Sequence, residues 1–219
     1  MTRLDAVFWA FFVLGAVLLT GLVAGLLPQS AEVRLALLLW QQLLFVVGGY
    51  LGARKEVFRR ADRSVYTCGA LSGLGLFAVN AVLGYLSMRI ALRFLEYDLV
   101  QNLIFRERVG VEMLLTSNKP LIVLGTTLLL TIGAPLGEEL FFRGLLVDLW
   151  KDSLGAKKAV FLVALIFTFL HSYVLQFIPV LVSGLILGIL FVRSGNVFVP
   201  ILAHAVVNTL VLVIWLFGL

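Results

Sequence analysis

The chain has 219 residues, 62% of them hydrophobic and 13% charged, with a mean hydropathy of +1.10 and a net charge of +5. Soluble domains hold roughly 45–50% apolar and about 25% charged residues, so the composition excludes a soluble domain and marks an integral membrane protein in contact with the lipid bilayer. The basic residues sit at the ends of apolar runs, which reads as topology rather than as a nucleic-acid surface, and the lone Cys68 excludes an intrachain disulfide and a paired-cysteine metal site.

The apolar runs are continuous rather than alternating, so they predict helices and not strands. The first span covers 6–27. It is longer than the signal-peptide core of about 7–15 residues and no small-x-small cleavage site follows, so it reads as a retained helix. A second span is predicted over 35–52. The most basic stretch follows, with Arg54, Lys55, Arg59, Arg60 and Arg63. The positive-inside rule places this loop, and the N-terminus with it, in the cytoplasm.

A third span is predicted over 65–87. Residues 88–118 mix Arg89, Arg93, Glu96, Asp98, Arg106, Glu107, Arg108 and Glu112 with Leu, Ile, Phe and Val. This pattern suits an amphipathic interfacial helix or pair of helices. From Pro120 to Trp150 the chain is apolar apart from Glu138, Glu139, Arg143 and Asp148. Such a helix is longer than a bilayer core requires, so it protrudes inward or kinks at Gly133-Ala-Pro135-x-Gly137. Proline there frees a backbone carbonyl one turn before the carboxylates. Further spans are expected over 159–176, 178–193 and 198–218. The fold class is therefore all-α, a polytopic bundle of seven to eight spans. Membrane helices with the interfacial region (1–118) and a helical core (119–219) form one structural unit.

Ionisable groups in hydrocarbon are costly and mark functional sites by default. Here they form three short patterns: Glu138-Glu139-x-x-x-Arg143, Phe167-x-x-x-His171 and His204-x-x-x-Asn208. Counted from the basic ends of their spans, Glu138, His171, His204 and Asn208 lie about 18, 20, 16 and 22 Å deep at 1.5 Å per residue. Three helices entering from one face thus bring polar groups to one level near the midplane of a core about 30 Å thick.

Glu139 and Arg143, four apart with the acid first, favour a same-face ion pair. Glu138, turned by about 100°, can face a cavity and act as general base on water. His204 and Asn208 share a face and could donate to one oxyanion. A zinc site of Glu138, His171 and His204 is the chemical alternative, although no HExxH pattern is present. Asn80 and the Gln41-Gln42 pair read as packing contacts.

At these residues the chain resembles the CAAX protease and bacteriocin-processing family of intramembrane endopeptidases. That family carries EExxxR, FxxxH and HxxxN/D motifs on successive membrane helices, and the match covers about 120–215. The resemblance implies hydrolysis of a peptide bond in a membrane-embedded or membrane-anchored peptide: a C-terminal tail, a sorting signal or a CAAX-like substrate. It implies that Glu138 with His171 activates water, that His204 and Asn208 hold the oxyanion, and that Glu139, Arg143 and Phe167 support them. No cofactor is expected, with zinc as the alternative. The short chain with tight loops is similar to bacterial members, which implies a bacterial cytoplasmic membrane. Two other classes fit the composition: a non-proteolytic scaffold or bacteriocin-immunity protein, and a proton-coupled transporter.

Overall fold

The computed structural model describes residues 2–60 and 62–218, so the outermost positions of the two expected segments, 1 and 219, lie outside the described residues. Eight helices run through them: α1 Arg3–Ala24, α2 Ala31–Gly52, α3 Arg63–Phe94, α4 Tyr97–Leu115, α5 Pro120–Leu154, α6 Ala156–His171, α7 Phe177–Ser194 and α8 Phe198–Phe217. No strand occurs among the described residues. The starts follow from local chemistry. Thr2 and Asp5 form a capping box on α1, Ser30 caps α2 through the Val33 amide, and Pro120 opens α5 where its missing N–H has no helical partner to lose.

Six helices, α1, α2, α3, α5, α7 and α8, are long and apolar enough to cross a membrane. Large apolar side chains such as Phe11, Leu22, Leu121 and Phe217 face outward, where lipid rather than water would meet them. The span expected over 159–176 is shorter in the structure. α6 has 16 residues and stops at His171 because Ser172 adopts the left-handed conformation, φ +56°. α6 therefore rises only about 24 Å, short of a full span. α3 is longer than expected and takes in residues 88–94, leaving Tyr97–Leu115 as the amphipathic helix.

The basic loop, the end of α5 and the α7–α8 turn meet at one end of the molecule. Arg54 pairs with Asp148 and Asp152, Lys151 with Asp148 at 2.6 Å, and the Val197 amide donates to the Val57 carbonyl at 3.0 Å. The three site-bearing helices thus do start from a common face.

Two glycines set the spacing around the site. A Cβ on Gly49 of α2 would lie 2.6 Å from the Leu140 carbonyl carbon, and one on Gly73 of α3 would lie 2.6 Å from the Ala203 oxygen. Only glycine lets α2 lie on α5 beside Glu139, and α3 on α8 beside His204, this closely. The core beneath is aromatic: Phe45, Phe141, Phe142 and Phe167 form a chain of ring contacts at 5.1–5.4 Å.

Candidate active site

α5 carries the first pattern and is irregular there. Its hydrogen bonding widens to the π spacing over Leu129–Gly133 and again over Glu139–Val147, on either side of Ala134–Glu138. Such widened turns recur at functional sites because they expose backbone groups that an α-helix would occupy. The Ala134 amide donates to Leu129 O, one residue further back than in an α-helix. The amide that would then serve Leu130 O belongs to residue 135, a proline, which has none. The orphaned Leu130 carbonyl accepts instead from Asn208 Nδ2 of α8, at 2.9 Å. A freed carbonyl is thereby located, about two turns before Glu138 rather than the one expected, and it anchors one of the site residues.

Glu139 and Arg143 are fully buried. Arg143 Nη1 donates to Glu139 Oε1 at 2.9 Å, and Nη2 to the Gly184 carbonyl of α7 at 3.1 Å. His204 Nδ1 lies 2.8 Å from the same Glu139 oxygen. The expected ion pair therefore exists and extends to a third helix. A carboxylate oxygen facing His Nδ1 fixes the ring orientation and presents Nε2 to the other side. Glu139 Oε2 and Arg143 Nε are buried with no protein hydrogen-bond partner.

Glu138 is also buried, but turns away from this pair. Its Oε1 accepts from Gln42 Nε2 of α2 at 3.3 Å. Sequence reasoning assigned Gln42 to packing, whereas the structure sets it against the carboxylate proposed as the base. The available signal was a glutamine pair in the middle of an apolar span.

His171, half-buried at the end of α6, places Nδ1 2.8 Å from the Phe167 carbonyl. A carbonyl only accepts, so Nδ1 carries the proton and Nε2 is left as the acceptor in the neutral ring. Tyr173 in the following link stacks obliquely on His171, ring centroids 5.7 Å apart.

Phe167 is the shared neighbour. Its ring centroid is 4.4 Å from that of His171, 6.4 Å from that of His204, and 4.8 Å beneath the Arg143 guanidinium. The three patterns thus meet at one ring. Asn208 is held on Leu130, which occupies one N–H of its amide and leaves the second. Among the described residues no three His, Cys, Asp or Glu side chains are grouped so as to hold a metal ion. A buried carboxylate, a histidine with a free acceptor nitrogen and a cluster of N–H donors can together deprotonate water and stabilise an oxyanion.

Residues 120–210, less than half of the chain, match the family described as type II CAAX prenyl endopeptidase Rce1-like. No curated protein and no solved structure matches the chain.

Proposed function

We propose that this chain, whose residues 120–210 match the Rce1-like CAAX endopeptidase family, cleaves its substrate with a glutamate-activated water and no metal. That match supports intramembrane proteolysis in the coarse sense. The catalytic type and the roles of individual residues are our reading of the site.

Glu138 accepts a proton from water, and the hydroxide oxygen bonds to the scissile carbonyl carbon as the C=O π pair moves onto oxygen. His204 Nε2 and the second N–H of Asn208 donate to that oxyanion. Glu139 holds the His204 ring from its Nδ1 side and steadies positive charge that builds there, much as a buried carboxylate serves a catalytic histidine elsewhere. Collapse reforms the carbonyl and breaks the C–N bond. The departing nitrogen takes the proton held by Glu138, relayed through His171 Nε2. Arg143 and Phe167 orient Glu139 and both histidines. The Nδ1 atoms of His171 and His204 already face Phe167 O and Glu139, so a zinc set of Glu138, His171 and His204 would have to use both Nε2 atoms. Free Nε2 atoms suit a metal as well as a proton, but among the described residues Glu138, His171 and His204 are not grouped closely enough to hold one ion, so chelation is expected to leave activity intact.

The substrate class we infer is a membrane-embedded or membrane-anchored peptide: a C-terminal tail, a sorting signal or a CAAX-like end. We place the enzyme in a bacterial cytoplasmic membrane, with its N-terminus and basic loops in the cytoplasm. The observation that carries the reading is the convergence of Arg143, His171 and His204 on the Phe167 ring, from three separate helices. The experiment is membrane proteomics of the host, comparing wild type with Glu138→Gln at equal expression. Termini that vanish in the variant support proteolysis and identify the substrate. An unchanged set of termini, with the protein's phenotype intact, would overturn it.

A further inference from the structure

Outside the matched region, one side chain reaches back to the link that follows His171. Glu107, half-buried on the amphipathic helix α4, accepts through Oε1 from the backbone amides of both Val174 and Leu175, each at 2.7 Å. Bonds from an ionised acceptor to two adjacent amides are short, directional and stronger than neutral ones. The link is gripped a second time by apolar contact. Leu175 is buried in a small cluster with Ala91 of α3 and Val100 of α4, rimmed by Met88, Leu103 and Ile104.

The link needs such a grip. α6 ends at His171 on a non-glycine residue with positive φ, Ser172, the one such residue described. That conformation persists only where the surroundings over-determine it. With Ser172 so turned, Tyr173 folds back against the His171 ring, and Val174 and Leu175 point their amides at α4. α4 is itself seated on α2, where the Arg34 guanidinium lies so close to Gly110 that a Cβ there would meet Nη1 at 2.2 Å.

We propose that Glu107 is a positioning residue: it ties the 172–176 link to α4 and so holds His171 and Tyr173 in register with Glu138. The inference rests on the protease reading above and gives the amphipathic helix, for which the matched motifs supply no role, a task in catalysis. Glu107 touches no reacting atom and acts through the link backbone. Freeing the link lets the end of α6 fray, and a displacement of about 1 Å at a catalytic group is enough to slow a reaction by about a hundredfold.

The test uses the full chain. The rate at which Glu138-dependent termini appear is measured in host membranes for wild type, Glu107→Ala and Glu107→Gln. Amide hydrogen exchange is followed by mass spectrometry on the same proteins in detergent. Glu107→Ala is expected to slow cleavage at least about tenfold, within that range, and to deprotect 172–177 while 138–147 stays protected. Glu107→Gln, whose amide oxygen can accept both N–H groups, is expected to restore most of both.

Deprotection of the link with cleavage unchanged would overturn the proposal. So would slow cleavage with the link still protected, or loss of protection across the whole bundle that Gln does not rescue. If wild type yields no Glu138-dependent terminus, it is the protease reading that fails. Exchange in the link then decides separately whether Glu107 ties it.

Discussion

Glu139 Oε1 lies 2.8 Å from His204 Nδ1, across a separation of 65 residues, and the same oxygen takes the Arg143 guanidinium at 2.9 Å. One carboxylate therefore neutralises a buried arginine and aims a histidine, so its structural and chemical roles can be separated by mutation. Removing one member of a buried pair leaves a charge without its partner and costs about 3–5 kcal/mol. Arg143→Met is expected to lower unfolding stability by that amount, read as a drop in the thermal midpoint in detergent. Adding Glu139→Gln removes the stranded charge and should recover much of the loss, while cleavage stays low because His204 has lost its ionic partner. Simple additivity of the two single variants would contradict the coupling.

Gln42 offers a cleaner separation. Its Nε2 donates to Glu138, while its Oε1 is buried with no protein partner. Gln42→Leu removes a costly orphan acceptor, but it also leaves the buried Glu138 carboxylate without this donor, and the two effects oppose each other. Stability should therefore change little, whereas cleavage should fall at least about tenfold, the equivalent of a hydrogen bond to a charged group at about 1.5–3 kcal/mol. Measuring the thermal midpoint beside the rate of appearance of termini decides it. A parallel fall of both would return Gln42 to the packing role.

Gly49 tests how far the site depends on helix spacing. Gly49→Ala puts a methyl 2.6 Å from the Leu140 carbonyl carbon, which is backbone and cannot turn aside. α2 must shift and carry Gln42 away from Glu138. Overpacking of this kind costs about 1–3 kcal/mol, and cleavage should fall by at least as much as in Gln42→Leu. Gly75→Ala is the control. Nothing lies within 4 Å of its added Cβ, so it should gain up to about 1 kcal/mol of helix propensity and cleave normally.

How much of this was legible in the sequence follows from the range of each interaction. The common depth of Glu138, His171, His204 and Asn208 needs only a fixed helical rise and a basic end to count from, and the Glu139–Arg143 pair needs only four-residue spacing. Phe167 against His171 is likewise one turn. The end of α6 was not legible, because the link after the left-handed Ser172 is held by distant bonds from Val174 and Leu175 to Glu107 of α4, and the apolar pattern runs on past it. The partners of Gln42 and Glu107 were not legible either: their bonds span 96 and 67 residues, so a glutamine in an apolar span and a glutamate on an amphipathic helix do not name what they hold.

Asn208 supports the Leu130 carbonyl that Pro135 leaves without an amide, and in the proposed mechanism it is also a second oxyanion donor beside His204. Asn208→Leu should therefore do two things. It leaves a part-buried carbonyl unsatisfied, at up to about 1–3 kcal/mol of stability, and it removes a donor from the reaction, at about 10²–10³-fold in rate. Adding Pro135→Ala supplies an N–H at the position where the π-spaced turn needs one. The double variant should regain most of the thermal stability lost by Asn208→Leu, yet remain as slow in releasing Glu138-dependent termini. Recovery of the rate along with the stability would mean that Asn208 serves only the helix, and would leave His204 as the sole donor to the oxyanion.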